Sequence, residues 1–406
     1  MWVTSKCLLR LTALACFTLS LTSQAKNNEE AEFAAFVKQR QSEFSQYEQQ
    51  QQQQFAAFVS AWRDAHSAYL KQVTEKWQDP NLPSAKVWVQ YSDDLNNRTS
   101  VNFERGEVTV ELLNSTDDTQ AIAYAQQQLK ELSQVSVGET LAKDPVYIAA
   151  NYALNKKQLT AHTSGQPQAT TVQPSKKASP VTNQLAQQNV LATEVVEQTL
   201  AAQPPTVIKQ QDRVTISYTL PANTLSSQAK RYLPEVRQQA ARYDLEPALL
   251  LAIIHTESSF NPLARSPIPA FGLMQIVPTS AGKDVSQFLQ GKPMLLSPEY
   301  LFQPDNNVEA GSTYMHLLTN RYFKNVRNAQ SRLYMSIAAY NTGPGNVAKT
   351  LSGSNSLNQA SIAANSMSAD KIFQHMVNNL PAQETRNYLQ KVVKRTTYYQ
   401  AQLKGI

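Results

Sequence analysis

"HTESSFNPLARSPIPAFGLMQIVP", residues 255–278, sets one carboxylate, Glu257, at the end of an apolar run and follows it with proline, glycine and small polar residues. Glu246-Pro247 opens a helix well, because proline in the first helical turn gives up no needed hydrogen bond. From Leu249 to Ile254 every side chain is apolar, which predicts a helix buried on most sides. Glu257 follows Ile254 by three residues, Ile253 by four and Leu250 by seven, so it shares their face. It also falls in the last turn, before Asn261-Pro262, where the helix dipole disfavours a negative charge. An apolar surround and an adverse dipole both raise a glutamate's pKa, the condition a general acid needs at neutral pH. A surface glutamate, or one tied to Arg265, satisfies the same pattern.

The surrounding acids narrow the chemistry. After Glu257 the next is Asp284, and none occurs between Gly311 and Ala369. A glycosidase that inverts needs a second carboxylate to activate water, and an ordinary retaining one needs it as nucleophile. Only distant acids such as Asp305, Asp370 or Glu384 can fold into that place. One glutamate suffices when the substrate supplies its own nucleophile, a sugar hydroxyl in place of water.

The chain's 406 residues are enough for two domains with real cores. Residues 1–25 carry Lys6 and Arg10, an apolar stretch from Leu11 to Leu21 and then Ser23-Gln24-Ala25, the layout of a secretory signal peptide cleaved after Ala25. The stretch is too short to span a bilayer comfortably, and nothing after residue 25 is long and apolar enough to do so. Lipidation at Cys16 is the competing reading, although Ala13 stands where lipoprotein signals usually have leucine. Cleavage takes the formal charge from +6 to +4 and removes both cysteines, Cys7 and Cys16. No disulfide, thiol nucleophile or Cys-type zinc site then remains. A mildly basic exported protein suits an acidic polymer or membrane surface without identifying either.

Residues 30–80 read as helical, with a solvated glutamine face that includes the run Gln49–Gln54, and disorder is the competing reading. In "RTSVNFERGEVTVELL", Val101 and Phe103, then Val108, Val110 and Leu112, alternate with polar neighbours about an Arg105-Gly106 turn, which predicts a hairpin. Lys86–Ser92 reads as a third strand. Residues 163–184 are rich in Pro, Ser, Thr, Gln and Lys and read as a linker. Arg213–Pro221 is a short strand that either rejoins the N-terminal sheet or leads onward. From Ser226 the periodicity is helical. The expectation is an α+β N-terminal domain over 26–162, a flexible connection over 163–205 and an all-α domain over 206–406. The polar, helix-plus-hairpin composition of the first domain suggests that it positions the second on its target.

"ESSFNP" at 257–262, "SPIPAFGLMQIVP" at 266–278, "AAYNTGPG" at 338–345 and "ETRNYL" at 384–389 occur in that order. Together they resemble the lytic transglycosylase family with the goose-lysozyme-like fold. The N-terminal "NNRTSVNFERGEVTVEL" and the later "SAGKDV" are similar to its membrane-bound C-type subgroup. The resemblance implies a lysozyme-like catalytic domain and cofactor-free cleavage of peptidoglycan glycan strands between N-acetylmuramic acid and N-acetylglucosamine without water. It makes Glu257 the acid and then the base, and Ser266 a contact to an N-acetyl group. It assigns Gly272, Leu273, Met274 and Gln275 to the floor of the sugar cleft, Tyr340 and Asn341 to the "AYN" pair, and Tyr388 to a hydroxyl beside the acid. It also implies periplasmic action and outer-membrane association.

Taken as residues alone, the same positions stay two-sided. Gly272 lets backbone approach a glycan closely; Met274 is by default core filling. Ser266 suits a turn. Asn341 suits the end of a helix that Gly343-Pro344-Gly345 stops. Tyr388, near Leu389, Val392 and Val393, suits a core. Pro269 departs from the small residue or glycine common in the family. A water-using muramidase and a non-catalytic wall-binding protein are the competing functions. The five histidines are scattered without an H-E-x-x-H pair, and His255 reads as structural or solvent-facing. No phosphate-binding glycine loop and no basic aromatic stripe argue for nucleotide or nucleic acid.

Overall fold

The computed structural model describes residues 5–162, 189–202, 204–267 and 269–404. Two units separate within the chain, residues 1–56 and 57–406. The first is helical from Ser5, as part of helix α1 (Ser5–Thr74), and exposes Phe33, Phe36 and Phe44. Among the described residues no helix is long and apolar enough to cross a membrane.

The second unit begins with an antiparallel sheet. Strands β1 (Val87–Tyr91), β2 (Asn97–Asn102) and β3 (Glu107–Leu113) form a meander, and Gly106 turns the hairpin at φ +64°. After helices α2 (Asp118–Glu131), α3 (Val137–Ala142), α4 (Pro145–His162) and α5 (Thr193–Ala201), the chain returns as β4 (Thr206–Lys209) and β5 (Arg213–Thr219). Strand β5 pairs with β3, Val110 opposite Ile216, and the order is β1-β2-β3-β5-β4.

Both faces of the sheet are covered, as alternation in a buried strand requires. Trp88, Val101, Val108, Val110 and Ile216 pack with Ala121, Ala125 and Leu129 of α2 and with Val195 and Val196 of α5. Val89 and Tyr91 pack on the other side with Val73 and Trp77. Arg98 lies buried there, 4.4 Å from the Trp77 ring centroid and 2.6 Å from Glu111.

Two expected boundaries move. The sheet takes in residues 206–219, which the composition had grouped with the helical domain, because β3 offers β5 an edge and a matching apolar face. The expected flexible connection over 163–205 also shortens. Residues 163–188 lie outside the described residues, but Val190, Leu191, Val195 and Val196 are core.

The helical part then follows: α6 (Thr224–Tyr243), α7 (Pro247–Glu257), α8 (Ala281–Gln290), α9 (Pro298–Leu301), α10 (Pro304–Leu317), a π-turn (Leu318–Tyr322), α11 (Ala329–Thr342), α12 (Pro344–Ser352), α13 (Leu357–Asn365), α14 (Ala369–Asn379) and α15 (Gln383–Leu403). Helix α7 is its axis, with Ala248 to Ile254 all buried and α6 and α15 packed on it. Arg395 of α15 donates to His255 O at 3.1 Å and to Thr256 Oγ1 at 3.0 Å, putting a cation at the negative end of α7.

Sheet and helices are tied together beside the end of α7. Asn261 Nδ2 donates to Ala85 O at 3.2 Å, just before β1. Arg265, buried, pairs with Asp144 at 2.8 Å and stands 5.6 Å from the Trp62 ring centroid. Trp62 meets Phe271 edge-on at 5.0 Å. The loop after Glu257 therefore rests on the sheet-bearing part as well as on its own helices.

Candidate active site

Helix α7 ends abruptly after Glu257. Ser258 leaves helical geometry, and Ser259 and Phe260 both take positive φ, +51° and +65°. An aromatic residue there is strained, and persists only where surroundings over-determine it. Phe260 is fully buried, stacked on Tyr232 with centroids 6.3 Å apart and planes 4° from parallel. The reversal leaves Glu257 half-buried, facing groups from three other parts of the chain.

Those groups set its proton affinity. Burial pushes the Glu257 carboxyl up to about 8 from an ordinary 4.5; the Tyr388 hydroxyl and Lys86 pull it down, and the charge of Glu384 adds to the rise. Tyr388, buried on α15, turns its hydroxyl toward Glu257 without completing a full hydrogen bond, and that hydroxyl has no other partner. Burial together with the charge of Glu257 drives both Tyr388 and Tyr340 well above the usual tyrosine range, so both stay neutral donors. The alternative that Arg265 ties Glu257 is set aside, since Arg265 is held by Asp144.

Of the distant acids, only Glu384 comes into electrostatic range of Glu257, and it is exposed at the start of α15. Asp305 is buried at the start of α10 and acts on Glu235; Asp370 is exposed on α14.

The segment 271–276 folds back on itself. Phe271 and Ile276 exchange two backbone hydrogen bonds of 3.1 Å, with Gly272 at φ +75° and Gln275 at φ +49°. Ser258 Oγ donates to Leu273 O at 2.8 Å, and Tyr340 Oη donates to Met274 O at 3.0 Å. The turn thus joins the end of α7 to the end of α11.

The nine expected site residues are not equally placed. Glu257, Tyr340 and Tyr388 converge. Asn341 accepts a 2.7 Å hydrogen bond from Thr385, which orients its amide and leaves its N–H groups as donors. Ser266 closes its own loop, its Oγ accepting from Ala270 N at 3.2 Å. Leu273 and Met274 are completely buried, and their carbonyls are taken by Ser258 and Tyr340. Gln275 is half-buried and donates to Gly272 O at 2.9 Å.

Gly272 needs a different account from the expected approach of a glycan. A Cβ there would stand 2.3 Å from Leu301 O and 2.4 Å from Asn307 Nδ2, so the protein's own atoms, the Leu301 carbonyl and the Asn307 amide, fill the space. His255 is structural: half-buried, it is bonded to Tyr399 Oη at 3.1 Å, and burial with Arg395 and Lys86 lowers its pKa to about 3.

Sequence reasoning missed Ser258, Asn307, Thr385 and Lys86. Asn307 lay in an unremarkable "PDNNVEAG", and Lys86 precedes a strand far from the glutamate. Thr385 lies within "ETRNYL", where nothing in its pattern sets it apart. Among the described residues no group of three or more His, Cys, Asp or Glu is arranged to hold a metal ion.

Comparison with known proteins bears on this arrangement. The family model described as "Transglycosylase SLT domain" matches residues 235–362, and "Membrane-bound lytic murein transglycosylase C, N-terminal domain" matches residues 49–130. The chain is similar to the protein named membrane-bound lytic murein transglycosylase C from Yersinia enterocolitica, 32% identical over 316 residues, 77% of this chain and 81% of that one. It is similar also to the protein of that name from Yersinia pestis (strain Pestoides F), 34% identical over 321 residues with the same two shares. Among solved structures, the lytic transglycosylase Slt of Pseudomonas aeruginosa matches 42% of this chain and 24% of its own at 29% identity, with a TM-score of 0.33. The 70 kDa soluble lytic transglycosylase of Escherichia coli matches 70% and 44% at 19% identity, also with a TM-score of 0.33.

Proposed function

As the chain belongs to the membrane-bound lytic murein transglycosylase C family, we propose that it cuts peptidoglycan glycan strands with Glu257 as its one acid and base. The observation that carries this is a half-buried glutamate with a pKa near 8, whose neighbouring acid, Glu384, is exposed. A carboxyl that keeps its proton at neutral pH can give it to a leaving oxygen.

In the first half of the reaction the bond between the muramyl C1 and the bridging oxygen breaks, and that oxygen takes the Glu257 proton. The cationic sugar is stabilised by its own N-acetyl group and by the ionised carboxylate. In the second half the muramyl 6-hydroxyl oxygen bonds to C1 and returns its proton to Glu257. Water is neither used nor produced, and the product is a 1,6-anhydro end. Tyr388 donates toward the carboxylate when it is charged and so eases loss of the proton. Gln275, Ser266 and the amide of Asn341 are the polar groups we assign to the sugars. The site of action is the cell envelope, reached by way of the first 25 residues.

The test is product analysis. Mass spectrometry of digested sacculi is expected to show anhydromuramyl ends. Reducing muramyl ends alone make the enzyme a hydrolase, and no released fragments leave it a wall-binding protein.

The electrostatics add a second expectation. Removing the charge of Glu384 by Glu384→Gln lowers the Glu257 pKa, since that charge raises it. The alkaline limb of the pH–rate curve, near pH 8 in the native enzyme, then moves to lower pH. Lys86→Ala moves it the other way. A limb that stays put in both variants means that it belongs to another group.

A further inference from the structure

Asn307, in the first turn of α10, is completely buried and spends most of its amide on one segment. Its Nδ2 donates to Phe271 O and to Leu301 O, each at 2.8 Å, and its Oδ1 accepts from Met274 N at 2.7 Å. An amide of this length supplies two donors and an acceptor at once; aspartate lacks the donors and leucine has neither. Inside a dry core an unmet carbonyl or N–H costs about 1–3 kcal/mol, so these bonds hold the turn in one form. Met274 adds a further lock, its Sδ resting where a Cβ on Gly311 would stand.

What this turn carries is the point. Two consecutive carbonyls leave it in two directions: Leu273 O to Ser258, the residue bonded to Glu257, and Met274 O to Tyr340. The separation between the acid and Tyr340 is therefore set by a segment that Asn307 fixes from below.

We propose that Asn307 is a positioning residue for the closing of the anhydro ring, acting through the 271–275 turn on Glu257 and Tyr340. The proposal rests on the transglycosylase reading above. Ring closure requires the carboxylate to meet the proton of the 6-hydroxyl while water is kept from C1. A turn that slackens frees Ser258 and Tyr340 to move independently. The same cation then has time and room to be caught by water, which leaves a reducing end instead of an anhydro end.

The deciding quantity is the ratio of reducing to anhydro muramyl ends, because it does not depend on how much of the enzyme is folded. A role confined to stability lowers both products together. Sacculi are digested with the native protein, with Asn307→Ala and with Ser258→Ala, the last removing a single hydroxyl and serving if Asn307→Ala does not fold. The ratio is expected to rise about tenfold in every variant that folds, within the roughly hundredfold that a misplacement near 1 Å can cost. An unchanged ratio in Ser258→Ala, or in folded Asn307→Ala, overturns the proposal. Native protein that yields reducing ends alone overturns the transglycosylase reading first, and this proposal with it.

Discussion

Glu257→Gln is expected to lower the rate of muropeptide release from sacculi by about a thousandfold, within the range general acid–base catalysis contributes, and to make the protein more stable. Glutamine keeps the shape of the side chain but has no proton to give the leaving oxygen and cannot accept one from the 6-hydroxyl. The gain in stability follows from the same burial. In the folded protein the carboxyl holds its proton up to about pH 8, whereas in the unfolded chain it ionises near 4.5. Below the lower value both states are protonated and the glutamate costs nothing. As the pH climbs through the interval, the unfolded chain releases a proton that the folded one retains, and folding is progressively disfavoured. The melting temperature of Glu257→Gln should therefore match that of the native protein near pH 4 and exceed it increasingly toward pH 8. Activity that survives the substitution removes Glu257 from the chemistry. A melting difference independent of pH means that the native carboxyl is ionised and solvated, and the electrostatic argument fails with it.

Legibility along the chain follows how local the cause is. Helix α7, its proline start and the position of Glu257 in its last turn are all written within eleven consecutive residues, and the structure has them as Pro247–Glu257. The hairpin about Gly106 is equally local. By contrast, β5 takes its place by pairing with a strand about a hundred residues earlier, and no periodicity in Arg213–Thr219 records that partner. The helix Thr193–Ala201 was hidden for a different reason. Its glutamine and threonines match the composition of the linker before it, and only the spacing of Val190, Leu191, Val195 and Val196 betrays a buried face.

The candidate site divides along the same line. Tyr340 and Tyr388 can be named from motifs, yet the influence of Glu257 on both hydroxyls depends on α11 packing against α15 and α15 against α7. Asn307 makes its bonds to residues 33 and 36 positions away and one to Leu301, six away, so no window around "GLMQ" contains it. Lys86 reaches the site only because the sheet-bearing part packs against the loop through Ala85, Asp144 and Trp62. This last point changes the expected role of the N-terminal region. Beside the expected positioning, it supports the loop that follows the acid. A chain beginning near residue 222 would lack those supports.

Gly272→Ala is expected to cost more stability than any other single-methyl change in the site. Two independent penalties meet at the position. The backbone stands at φ +75°, a left-handed conformation that costs an alanine about 1 kcal/mol. The added Cβ also meets Leu301 O at 2.3 Å and Asn307 Nδ2 at 2.4 Å, contacts that real structures essentially never show. Neither neighbour can step aside easily. Leu301 O is backbone, and the Asn307 amide is held by three hydrogen bonds. Relief therefore requires the 271–276 turn to shift as a body, breaking the bonds from Asn307, from Ser258 and from Tyr340 that share it. With overpacking at about 1–3 kcal/mol, the sum is about 2–4 kcal/mol, a melting drop on the order of 5–10 °C for a domain of this size. Chemical denaturation read by tryptophan fluorescence measures it directly, because Trp62 sits against Phe271 at the base of the same turn. The comparison that isolates the cause is Gly291→Ala, also at positive φ (+73°) but with no atom within 4 Å of the new Cβ. That variant should lose only the backbone part. Equal losses at the two positions leave the conformational cost as the whole effect, and the close approach of Leu301 and Asn307 would then count for nothing.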